Sequence, residues 1–229
     1  MVVIKLWIEG GVLPPLNNPL HGRDDSMWKT IDNTNSLRQS FKKLFSKVFP
    51  DESNIRFIPE MGSGRDQTAN FFKDDFLQYN TLMLRDLDAP KIEREETISK
   101  ISNKLEMPVS EIEGKVFFMV QEMEAWILSQ PYVIERVFAD HKVGKFSIEN
   151  DDQIFDKNIE TIIKPSKVIE IILQRYFVIE KAGKKKKLKY GKLKHSPDLI
   201  ENLDIHKLKN TFEDVGLLIN KINKLSLIK

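Results

Sequence analysis

The chain has 229 residues, 41% hydrophobic and 31% charged, which suits one sizeable core or a core with an appendage and excludes a disordered chain. Cysteine is absent, so disulfides and thiolate metal sites are excluded and any metal must be held by oxygen or imidazole ligands. The net charge of +2 is near neutral, no stretch approaches the ~20 apolar residues of a membrane span, and the first apolar run is too short for a signal peptide. A cytoplasmic protein without membrane contact is expected.

Val2 to Ile8 is a short run of β-branched, aromatic and aliphatic residues, and it ends in Glu9-Gly10-Gly11. It reads as a buried strand with a carboxylate at its end and glycines that let the backbone turn sharply. Residues 12–33 show no sustained period and hold three prolines, which predicts a long loop. His21, Arg23, Asp24 and Asp25 in that loop either reach over the strand end or are solvated. Asn35 or Ser36 is expected to cap a helix with a stripe of Leu37, Phe41, Leu44, Phe45 and Val48. Ile55 to Ile58 reads as a second strand. The glycine-bearing loop Met61 to Asp66 after it opens a helix carrying Phe71, Phe72, Phe76 and Leu77. Backbone amides at a helix start attract anions, so Arg65 is either a phosphate contact or a surface residue of a capping loop. The loop lacks the Lys-Ser/Thr ending of an ATP-binding Walker motif.

Thr81 to Pro90 (TLMLRDLDAP) is the stretch around which the chain is organised. Side chains at i and i+2 of an extended segment project the same way, so Asp86 and Asp88 are expected to converge, and two such carboxylates repel unless a cation lies between them. The plainer alternative is a strand running into an Asp-rich turn closed by Pro90. Ligands of an open α/β sheet bind outside the carboxyl ends of its strands, which places Glu9 near the aspartates if their strands are neighbours. Ile92 to Leu105 reads as a polar outer helix and Lys115 to Val120 as a central strand. Glu124 follows at the same edge, as a fourth site carboxylate or as a helix-start glutamate that suits the helix dipole. Strands separated by helices at these distances predict a mainly parallel sheet.

The character changes after residue 137. Residues 138–158 are polar and irregular, and Pro165 starts a helix. A lysine-rich segment at 181–195 follows, with no acid from Lys181 through Pro197. Charge of that density is expected to keep it an extended or flexible loop until a polyphosphate neutralises it, with counterion release as the driving term. Lys187, Lys189, Lys192 and Lys194 would then contact nucleic acid, with Tyr190 stacking on a base and His195 beside them. The alternative is a solvated lysine loop. Residues 200–227 read as helices, which completes a division into a core at 1–137 and a mostly helical C-terminal appendage at 138–229.

IEGG at 8–11, GSGRD at 62–66, LRDLDAP at 84–90, MVQEMEAWIL at 119–128 and YGKLKHS at 190–196 together resemble a family of small bacterial Toprim-like proteins. That family is related to OLD-type nucleases and is often encoded beside an AAA or ABC-type ATPase. The resemblance implies a Toprim-like α/β fold and Mg²⁺- or Mn²⁺-dependent cleavage of RNA or DNA. It further implies a toxic antiphage effector held in check by the ATPase.

Phosphodiester cleavage needs charge neutralised on phosphorus and a water activated, tasks that one or two divalent ions perform. In this reading Asp86 and Asp88 are metal ligands, Glu9 binds metal or acts as general acid or base depending on its pKa, and Glu124 supports them. Arg65, Lys194 and His195 contact phosphates or the leaving oxygen. A non-catalytic subunit that binds nucleic acid or the ATPase is the alternative. A receiver-like signalling domain is disfavoured, because no single acceptor aspartate stands out.

Overall fold

The structure, a computed structural model, describes residues 1–11, 25–49, 54–78, 80–181 and 183–227. Strands β1 (Val2–Ile8), β2 (Ile55–Met61), β3 (Asn80–Asp86) and β4 (Val116–Met119) form one sheet in the order β2-β1-β3-β4, every pair parallel. Between them in the chain lie α1 (Asp25–Ser46), α2 (Arg65–Asp75), α3 (Arg94–Leu105) and the short α4 (Val109–Ile112). After β4 come α5 (Glu124–Leu128), α6 (Pro131–Val137) and α7 (Pro165–Tyr176). The hairpin β5 (Val178–Lys181) with β6 (Lys184–Lys187) precedes α8 (Lys192–Glu201), α9 (Ile205–Thr211) and α10 (Glu213–Ser226). The expected α/β class, parallel sheet and helical C-terminal region are all present. Among the described residues no helix is long and apolar enough to cross a membrane.

Period-two alternation sorts the strands onto two cores. Ile4, Leu6, Ile8, Leu82, Leu84, Phe117 and Met119 face α1 and the C-terminal helices. Met83, Val116 and Phe118 face Ala69 and Phe72 of α2 and Ile98, Ile101 and Leu105 of α3. The first core runs without a break into Leu199, Ile200, Leu208, Leu218 and Ile219, so the region after residue 137 packs on the sheet's own core. Edge strand β4 is protected by α10: Asp214 accepts from the Phe118 backbone N–H at 3.2 Å and is held by Arg94 at 3.3 Å.

Two expectations are corrected. Helix α1 begins at Asp25, ten residues before the expected cap at Asn35. The Asp-Asn-Thr-Asn-Ser run at 32–36 costs at most about 0.7 kcal/mol per residue in helix propensity. Burial of Leu37, Phe41, Leu44 and Phe45 at about 1.5–3 kcal/mol each outweighs it. Thr34 is buried directly over Gly11, where a Cβ would meet the Thr34 side chain at 2.5 Å. His21, Arg23 and Asp24 lie outside the described residues.

The lysine-rich segment is likewise not a loop. Val178–Lys181 and Lys184–Lys187 pair antiparallel with Glu180 opposite Lys185, and buried Phe177 and Leu188 close the ladder through a 3.0 Å backbone bond. Two buried hydrophobic anchors and the antiparallel ladder order what the charge run suggested would stay mobile.

Candidate functional site

The carboxyl edge of the sheet is built by turns that few residues can make. Glu9 follows β1, and its N–H donates to Leu84 O at 2.9 Å, which fixes it beside β3. Gly10 and Ser63 exchange backbone bonds of 2.8 and 3.0 Å, tying the end of β1 to the loop that opens α2. Gly62 sits against Thr68, where a Cβ would come within 2.7 Å of backbone. These contacts deliver Arg65, the first residue of α2, to the same edge. On the far side, Asp88 and Gln121 both take left-handed backbone, with φ of 52° and 61°, and the Asp88 N–H donates to Gln121 O at 2.7 Å. Two non-glycine residues held there store strain of about 1 kcal/mol or more each, which the surrounding packing sustains.

The strand parity that sorts the core also sorts the charges. Arg85 shares the α2 side of β3 with Met83, and Asp86 shares the α1 side with Leu84. On the α2 side, Glu9 Oε2 lies 3.6 Å from Arg85 Nε, and Glu9 Oε1 lies 3.9 Å from Arg65 Nε. Arg65 also pairs with Asp88. On the α1 side, Asp86 Oδ1 accepts from the Met123 N–H at 2.8 Å, and Lys192 Nζ lies 3.3 Å from Asp86 Oδ2 and 3.2 Å from Glu124 Oε2. Glu124 is fully buried and accepts from Tyr190 Oη at 3.0 Å, and Tyr190 also bonds Ser196 Oγ at 2.7 Å.

Asp86 and Asp88 therefore do not converge as the extended-strand rule predicts. Strand β3 ends at Asp86, and the left-handed turn at Asp88 sends its carboxylate to Arg65 instead. Among the described residues no three His, Asp or Glu side chains stand close enough to hold one cation between them.

Burial, reinforced by the nearby Asp86, raises the Glu9 carboxyl from the usual carboxylate range to about 7. Burial also raises Asp86 and Glu124. Burial works against the Lys192 charge, but Asp86 and Glu124 outweigh it and hold the ammonium above its ordinary range.

The remaining sequence candidates divide. Lys187, Lys189 and Lys194 are exposed. Lys192 serves the carboxylates rather than standing free. His195 is buried; its Nδ1 accepts from the Gly191 N–H at 3.1 Å and its ring packs edge-on against Phe138 at 5.4 Å. Burial and the neighbouring Lys194 lower its pKa, so it is a neutral residue fixing the start of α8. Tyr190 turns its hydroxyl inward to Glu124, which leaves little of it for stacking on a base.

Arg85 was missed in the sequence. Its signal is parity, since the residue preceding a site aspartate in a strand must project from the opposite face.

The donor atoms of this edge are of the type a divalent cation takes, but among the described residues they are not gathered around one point. All four acids are hard oxygen donors; Glu9 Oε2 is buried without a hydrogen-bond donor, and Glu124 Oε2 has only the Lys192 ammonium, at 3.2 Å. Four carboxylates share three basic side chains, Arg65, Arg85 and Lys192, a net charge of −1 when every acid is ionised.

Fold and site together define a parallel α/β protein with a partly buried cluster of acids and bases at the carboxyl edge of its sheet. Residues 27–223 match the family model described as a domain of unknown function (DUF4276), and the chain belongs to that family. The matched span contains Arg65, Arg85, Asp86, Asp88, Glu124 and Lys192, while Glu9 precedes it. No curated protein and no solved structure matches the chain.

Proposed function

We propose that the protein hydrolyses phosphodiester bonds of RNA or DNA in the cytoplasm with the help of a divalent metal ion. The observation that carries the reading is Glu9: a carboxyl at a sheet's carboxyl edge, raised to about 7, with one oxygen lacking a donor and two guanidinium groups beside it. A group titrating near neutrality both accepts and returns a proton at working pH, which suits activation of a water and protonation of a leaving oxygen. Arg65, half exposed, supplies a fixed positive charge for a substrate phosphate.

Glu9, Asp86 and Asp88 would hold Mg²⁺ or Mn²⁺, with Glu124 behind them, once Asp88 leaves Arg65 and the side chains close up from the separation described above. Such an ion lowers the pKa of a bound water and offsets charge on phosphorus. Water adds to phosphorus, the P–O bond to the leaving strand breaks, and that oxygen leaves with a proton. Lys192 tethers Asp86 and Glu124 and offsets part of the burial that disfavours their charge. The exposed lysines of β6 with Lys189 and Lys194 supply sequence-independent attraction for the backbone. The ATPase partner and the defence role follow from the resemblance and are part of the same proposal.

The second reading is a non-catalytic subunit that binds nucleic acid or its ATPase partner. It is favoured by the contacts of Lys192 and Arg65, which already neutralise much of the acid cluster. Incubation with labelled plasmid, single-stranded DNA and total tRNA, with Mg²⁺, Mn²⁺ or EDTA, separates the two. Metal-dependent cleavage that disappears in Glu9→Gln and Asp86→Asn establishes the hydrolase. Salt-sensitive binding without cleavage under every condition establishes the binding subunit.

A further inference from the structure

On the α2 and α3 side of the edge lies a cavity of about 330 Å³. Arg85 forms part of its wall, with Arg65 from α2 and Thr97, Lys100 and Lys104 from α3. Its acids are Asp66, Asp88 and Glu93. Arg85 is about nine-tenths buried and makes no hydrogen bond among the described residues; its one partner is Glu9, at ion-pair distance. Its Nε is buried without a hydrogen bond and so loses its hydration unreplaced. It fits a place that a ligand completes.

The other cations are held by pairs that a ligand can outcompete. Lys100 bonds Glu96 at 2.7 Å along the exposed face of α3, Lys104 pairs with Asp66, and Arg65 with Asp88. Every member of these pairs is at least a third exposed, and such surface pairs contribute about 0–1 kcal/mol each. A tetrahedral anion with several oxygens can accept from Arg85 and Arg65 together, in the planar two-donor manner of guanidinium, while Lys100 and Lys104 close over it and Thr97 offers a hydroxyl.

We propose that this cavity is a binding subsite for a phosphate monoester, which adjoins Glu9 and shares Arg65 and Asp88 with the carboxylate cluster. Four basic groups around one basin favour a dianionic terminal phosphate over the single charge of an internal diester. Its occupant is the 5′-phosphate of a nucleic-acid strand, an assignment that rests on the hydrolase reading; free phosphate has the same chemistry.

The test is fluorescence anisotropy in EDTA with a 3′-labelled single-stranded hexanucleotide bearing either a 5′-phosphate or a 5′-hydroxyl. The wild type should bind the phosphorylated strand about tenfold more tightly. Arg85→Gln and the surface pair Lys100→Ala/Lys104→Ala should each reduce the preference to threefold or less. Circular dichroism checks that Arg85→Gln is folded, and the exposed lysine pair gives the answer if it is not. Lys187→Ala/Lys189→Ala on the hairpin should weaken both strands equally and leave the preference intact.

Equal affinity for the two ends in the wild type, or a preference that survives in the folded variants, overturns the proposal. Inorganic phosphate that erases the preference at concentrations matching the strand identifies free phosphate as a true occupant, whereas weak competition identifies the strand end. The assay needs no cleavage. Absent cleavage with an intact preference sinks the hydrolase reading alone, and a lost preference with intact cleavage sinks the subsite alone.

Discussion

Lys192 Nζ stands 3.3 Å from Asp86 Oδ2, so the first residue of α8 meets the last residue of β3. The same ammonium lies 3.2 Å from Glu124, and this three-part contact couples the C-terminal region to the sheet edge. Lys192→Met strands two buried carboxylates and should destabilise the fold by about 3 kcal/mol at neutral pH, read from urea unfolding. Adding Glu124→Gln should recover more than half of that loss. A Lys192→Met protein as stable as the wild type would show that the contact carries no weight.

Glu9 makes stability depend on pH in a defined direction. Its carboxyl is raised from 4.5 to about 7, so between those values the folded state binds more protons than the unfolded one. Stability therefore falls as pH rises through that window, by about 2–3 kcal/mol once Glu9 is fully ionised. Glu9→Gln mimics the protonated form. The variant should match the wild type near pH 4.5 and exceed it by about 2 kcal/mol above neutrality, in parallel urea titrations. A gap that stays constant with pH would contradict the burial of Glu9.

Gly62 positions Arg65 by steric necessity. A Cβ there would overlap the Thr68 backbone and side chain at 2.3–2.7 Å, and neither is the far end of a flexible chain. Gly62→Ala should cost about 2–3 kcal/mol. Gly64→Ala, two residues on with open space around it, should cost under about 1 kcal/mol. Thermal unfolding of the pair checks both.

Much of this architecture was legible because the strands are apolar runs with acids or glycines at their ends. Val2–Ile8 followed by Glu9 and Thr81–Leu84 followed by Asp86 marked two strands that the structure places side by side. What failed were inferences that extended a local rule past the element that justified it. The i, i+2 rule holds within β3 and lapses at Asp88, because the chain has already turned into left-handed backbone. Lys192 looked like one more lysine for a nucleic-acid backbone, since its two carboxylate partners lie 68 and 106 residues earlier in the chain. His195 and Tyr190 looked accessible within a charge run, and only the docking of α8 on α1 and Phe138 shows them turned inward.

The lysines that remain outside are separable from the buried aromatic pair. If Lys187 and Lys189 hold a nucleic-acid backbone, replacing both with alanine should lower the slope of log affinity against log salt by about 1.5–2. His195→Ala should instead cost about 1–3 kcal/mol of stability by leaving the Gly191 N–H without its acceptor, with the salt slope unchanged. Anisotropy across a salt series, beside urea unfolding, reads both. A slope altered by His195→Ala would place the ring against the ligand after all.

Metal binding as proposed for this edge would compete with the Lys192 contact for the same oxygens, and that competition is measurable without any substrate. In the wild type, Mg²⁺ would have to displace an ammonium held by Asp86 and Glu124. In Lys192→Met those carboxylates lack a counter-ion, and an ion that binds only the folded state stabilises it by mass action. Mg²⁺ should therefore raise the midpoint of Lys192→Met unfolding by several degrees and that of the wild type by less. Asp86→Asn added to Lys192→Met should abolish the gain. Calorimetric scans with Mg²⁺, with Ca²⁺ and with EDTA separate a site-specific effect from general screening. An equal shift in all three proteins would mean that the carboxylates of this edge do not hold the ion.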